Sequence, residues 1–128
     1  MIVVKRTHFA NGKLRELVEK DNRVTQTSRF WLTGEIEMIL RVSVNSDRSK
    51  TTVFDKDGRV TCQREYSNGR TRTTSYFPET GKVEKAMTVW EKPGLKKTVT
   101  VQYDYQIVAK PGKVKISKVT KLEYYEDL

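Results

Sequence analysis

The sequence predicts an all-β fold, an antiparallel meander of about nine or ten short strands in a curled or barrel-like sheet. Three observations predict it: evenly spaced turn residues, an aromatic residue ahead of nearly every glycine, and period-two alternation between the turns.

Six of the seven glycines follow an aromatic residue by three or four positions. The pairs are Phe9 and Gly12, Trp31 and Gly34, Phe54 and Gly58, Tyr66 and Gly69, Phe77 and Gly81, and Trp90 and Gly94. From Gly12 to Gly94 the spacings are 22, 24, 11, 12 and 13 residues. The two long intervals each have room for one more turn. Asp21-Asn22 and Asn45-Ser46-Asp47 sit where those turns belong, and such residues tolerate positive φ without glycine. A period of about 12 residues leaves roughly seven or eight for a strand and about four for a turn. Pro78, Pro93 and Pro111 also fall in or beside turns, where a missing N–H does no harm.

Between the turns, apolar residues alternate with polar ones. Ile36, Met38, Leu40, Val42 and Val44 share one face, with Glu35, Glu37, Arg41 and Ser43 opposite. Val60, Cys62 and Tyr66 form a second stripe, and Val83, Met87 and Val89 a third. Val99, Val101, Tyr103, Tyr105 and Ile107 form the cleanest. Val114, Ile116, Leu122 and Tyr124 are expected to share a face in the last strand. Helical spacing occurs only at 13–20, through Leu14, Leu17 and Val18, and the repeat predicts a strand there. One apolar face per strand implies one buried face. The sheet is therefore expected to curl on itself or to rest against a partner.

The 128 residues suffice for one domain, taken as 1–128. The single cysteine, Cys62, excludes an internal disulfide. Only four apolar residues open the chain before charge appears, too few for a signal peptide, and no run is long enough to span a membrane. A cytoplasmic protein without a membrane partner is the expectation.

Phe9-Ala10-Asn11-Gly12-Lys13-Leu14, echoed at Tyr66-Ser67-Asn68-Gly69-Arg70, resembles the MORN-variant repeat of the YwqK group. Phe54-Asp55-Lys56-Asp57-Gly58-Arg59-Val60 is similar to a YD repeat of the Rhs type. The resemblance covers about residues 7–94 and implies a β-hairpin meander that serves as a binding scaffold. A second glycine that YwqK-type units carry is absent before Gly58.

The net charge is +9, which favours polyanionic partners. Residues 92–122 hold eight lysines against one acid, Asp104. Sheets that bind nucleic acid combine such cations with aromatic rings. The candidate polyanion-binding residues are therefore Lys96, Lys97, Lys110, Lys113, Lys115, Lys118, Lys121, Arg70 and Arg72. Arg70 and Arg72 share a face with Tyr76, and Lys113, Lys115 and Lys121 are expected to share another.

Catalytic chemistry is not apparent. His8 is the only histidine and lies far from Cys62 in sequence. Cys62 reads as a small strand hydrophobe. Glu35 and Glu37 read as a solvated strand face. No phosphate loop, nucleophile elbow, kinase signature or deaminase signature is present. No enzyme, cofactor or metal site is expected. The leading expectation is a non-enzymatic basic sheet that binds nucleic acid or an acidic protein surface. The alternative is a small phage or bacterial accessory protein, antitoxin-like or host-directed, acting through protein–protein contacts. A closed barrel holding a small ligand comes third. The oligomeric state stays open, and unpaired sheet edges are where self-association would occur.

Overall fold

The computed structural model of the chain describes residues 1–107 and 114–127. Ten strands follow one another: β1 (Ile2–His8), β2 (Leu14–Lys20), β3 (Val24–Phe30), β4 (Ile36–Ser43), β5 (Ser49–Phe54), β6 (Val60–Ser67), β7 (Arg70–Tyr76), β8 (Val83–Lys92), β9 (Leu95–Ile107) and β10 (Val114–Asp127). They form one sheet in sequence order, each antiparallel to the next. Among the described residues there is no helix, so 13–20 carries a strand despite its helical spacing. The turn at Pro111 and Gly112 lies outside the described residues.

The turns account for the order. In three hairpins the residue before the turn bonds forward in the same way. Phe9, Trp31 and Asp55 each donate N–H to the carbonyl four residues on, and each accepts from the glycine three residues on. That is a three-residue turn ending in a left-handed position, which a glycine occupies without Cβ strain. Asn68 and Gly69 make a tighter connection with φ of 51° and 73°, the mirror-image turn that Asn-Gly favours. At Asp21-Asn22 and Asn45-Ser46-Asp47 turns do form, but with no positive φ. At the first, the Asp21 carboxylate accepts from the N–H groups of Arg23 and Val24 instead.

Neighbouring turns are tied to each other. At one end of the sheet Val44 donates to the Arg23 carbonyl, Asn68 to the Asp47 carboxylate, and Glu91 to the Gly69 carbonyl. At the other end Asn11 and Lys13 reach the Leu32 and Thr33 carbonyls. The aromatics ahead of the glycines take part as well. Lys56 stands over Trp31 at 5.7 Å, and Phe77 meets Tyr105 edge-on at 5.9 Å.

Among the described residues no second layer exists. Each strand touches only its sequence neighbours, and β1 and β10 do not meet, so the sheet is open and the closed-barrel expectation is corrected. Among the described residues no apolar side chain is buried, and Ser28 alone is, at 6% exposure. The surface of 9204 Å² exceeds the roughly 7,000 Å² of a compact chain of this size.

Residues directly opposite each other share a face. Met87 and Val89 of β8 stand opposite Thr100 and Thr98, whereas Val99 and Val101 stand opposite Thr88 and Ala86. The clean stripe of β9 therefore lies on the other face from those of β4, β6 and β8. Each face has its own apolar strip, and the expected single buried face is not formed.

Two stability outcomes follow from the turns. Gly58→Ala meets open space and should cost about 1 kcal/mol for its positive φ alone. A Cβ at Gly69 would stand 2.9 Å from the Glu91 carbonyl oxygen, so Gly69→Ala should cost more in urea unfolding. Equal losses would contradict the hairpin-to-hairpin contact. The Asp55 carboxyl is held below its usual range, chiefly by the Arg59 N–H. Its stabilisation is present above the unfolded-state pKa and lost as pH falls through the folded-state value. Asp55→Ala should destabilise at neutral pH, and its difference from wild type should fade in acid.

Candidate functional site

Arg41 on β4 stands opposite Lys50 on β5, Lys50 opposite Glu65 on β6, and Glu65 opposite Arg72 on β7. These four side chains project from one face in one row. Arg70, two residues before Arg72, projects from the same face. Arg48 joins them from the turn before β5. Together the five cations and Glu65 line a shallow cleft of about 580 Å³, completed by Tyr66, Val24 and three serines.

All five cations are exposed, and among the described residues none of them makes an ion pair. Elsewhere, acids do find partners: Glu16 holds Lys5 and Arg29, and Asp55 and Asp57 hold Arg59. Cross-strand neighbours of like charge destabilise a sheet. Arg41 facing Lys50 is such a pair, with Glu65 the one acid in the cleft.

From Arg72 that row runs on to Thr88, Val99 and Glu123, and a second row on the same face lies beside it, two residues along the strands. Arg70 stands opposite Trp90 on β8, Trp90 opposite Lys97 on β9, and Lys97 opposite Tyr125 on β10. The Lys97 ammonium lies 5.3 Å from the Trp90 ring centre and 5.6 Å from that of Tyr125. A smaller cleft of about 350 Å³ opens between Trp90, Lys92, Leu95 and Lys97.

The other candidate lysines are divided between the two faces. Lys121 pairs with Val101 and shares the cleft face, where it binds the Glu123 carboxylate at 3.1 Å. That bond, more than any other contact, lowers the Glu123 pKa. Lys96, Lys115 and Lys118 project from the opposite face. A bulge explains the split: the register slips between Ile116 and Lys118, so Lys115 faces Gln106 while Lys121 faces Val101. The shared face expected for Lys115 and Lys121 is thus corrected. The same slip separates Ile116 from Leu122 and Tyr124. Lys110 and Lys113 lie outside the described residues.

Sequence reasoning named Arg70 and Arg72 but missed Arg41, Arg48 and Lys50. The signal was present. Once a turn is placed at Asn45-Ser46-Asp47, positions 41 and 50 fall opposite each other. Cys62 and His8 lie on β6 and β1, with four strands between them. Among the described residues no three His, Cys, Asp or Glu side chains converge as metal ligands. No helix among the described residues is long and apolar enough to cross a membrane. No protein-family model matches the chain, and no curated protein matches it in sequence.

The cleft should reveal itself through stability. Arg41 is the cleaner site, with Lys50 opposite it on one side and neutral Gln26 on the other. Arg41→Gln relieves the repulsion from Lys50 and should stabilise the fold by about 0.5 kcal/mol at low ionic strength. The gain should vanish near 1 M salt, where screening acts within about 3 Å. A loss of stability on this substitution would show that Arg41 has a structural partner.

Proposed function

We propose that the chain is a non-enzymatic binding module that takes a polyanionic partner in the cleft between β4 and β7. One observation carries this reading: five exposed cations without ion pairs face one acid on a single side of the sheet. Unpaired like charges on adjacent strands cost stability, and an anionic ligand offsets that cost. Arginine suits the task because its planar fork meets phosphate or carboxylate oxygens in pairs. The resemblance to MORN-variant hairpin repeats belongs to the same proposal, as does a cytoplasmic location.

A second reading, an accessory protein working through protein contacts, is supported by the opposite face. There Ile36 and Val42 are 38% and 40% exposed, with nothing packed over them among the described residues.

The test compares two charge reversals in affinity for sodium polyphosphate across a salt series. Arg70→Glu/Arg72→Glu should weaken binding at least about tenfold and flatten its salt dependence. Lys115→Glu/Lys118→Glu, on the other face, should change affinity far less. Equal losses would reduce the binding to net charge and remove the cleft from the account.

A further inference from the structure

Resting on that reading, we propose that the polyanion is single-stranded nucleic acid, laid across the strands from the arginine cleft to Trp90 and Tyr125. The geometry is extended. From Arg41 on β4 to Tyr125 on β10 the path crosses six strand-to-strand steps, about 29 Å at the usual sheet spacing, and shifts by two residues on β7, from Arg72 to Arg70. A compact phosphate or nucleotide needs donors that converge on one point, and these are spread along a line. A flexible polymer with charge at regular intervals fits a line.

The order of groups along that line distinguishes between polymers. Cations come first, at Arg41, Lys50 and Arg72, with Glu65 between the last two, and a backbone of phosphates would lie along them. Rings come next, with Trp90 directly opposite Arg70 and Tyr125 directly opposite Lys97. Tyr125 is 55% exposed, and Trp90 walls the smaller cleft beside two lysines and a leucine. That mixed cleft offers a planar base an aromatic wall and offers its phosphate an ammonium. An acidic peptide would use the cations but has no planar groups for the rings. A duplex keeps its bases stacked inside and would leave the rings without partners.

The experiment measures fluorescence anisotropy of end-labelled oligothymidylate and oligouridylate of about ten nucleotides, within the usual range for such sites. Competitors are polyphosphate, polyglutamate and a duplex of equal length. Wild type should bind both single strands more tightly than any competitor, and the two labelled strands show whether DNA or RNA is preferred. Trp90→Ala should weaken single-strand binding about fivefold or more while leaving polyphosphate binding unchanged. Trp90→Phe, which keeps a ring and the fold, should recover most of the loss. Unchanged single-strand affinity in Trp90→Ala would overturn this proposal and leave the polyanion reading standing, as would a preference for polyglutamate or duplex. If Arg70→Glu/Arg72→Glu also binds every polyanion as wild type does, the polyanion reading itself falls.

Discussion

Among the described residues, each strand packs only on the strands next to it in sequence. Within those residues the sheet has no second layer, and its edges do not close on each other. The backbone ladder, the cross-strand side-chain pairs and the bonds between adjacent turns therefore supply the cohesion. Such an arrangement behaves as a one-dimensional array, in which each hairpin is stabilised by the one before and the one after. The turn-to-turn bonds from Val44 to Arg23, from Asn68 to Asp47 and from Glu91 to Gly69 are the links of that array. They also explain why hairpin loops must stay short. A longer loop would swing away from the carbonyl or carboxylate next to it.

A one-layer sheet exposes both of its faces, and this shapes its chemistry. A side chain on either face is accessible unless its own neighbours cover it. Cross-strand register then decides which distant residues meet. Arg41, Lys50, Glu65 and Arg72 come from four strands and more than thirty positions of sequence (41 to 72), yet register sets them side by side. The same register lines up Arg70, Trp90, Lys97 and Tyr125 in a second row beside it, on the same face. A functional surface of this kind needs no cavity in a core. It needs strands that do not slip, and the glycine turns and bulges fix the register.

Much of the fold was legible because the information for a meander is local. Glycines after aromatics, Asn-Gly, Pro-Gly and the two glycine-free turns each act over four or five residues. The strands between them follow by alternation. Where the outcome depended on more than one strand, the sequence was a poorer guide. Nothing in Val99, Val101 and Tyr103 taken alone tells that they lie on the opposite face from Met87 and Val89. The slip near Ser117 has no glycine to announce it, and it moved Lys115 and Lys121 to opposite sides. The charge-rich stretch from Lys92 to Lys121 drew attention by count, whereas the gathered cations lie elsewhere. Counting charges along a chain misleads when adjacent residues of a strand point to opposite faces.

The central claim is an open single layer, and small-angle X-ray scattering on the monomer tests it most directly. Nine strand-to-strand steps span about 43 Å before side chains are added. The account predicts a monomer with a plate-like distance distribution and a radius of gyration clearly above the roughly 14 Å of a compact chain of this length. A globular curve at that compact value, or a dimer that buries one face of the sheet, would contradict it.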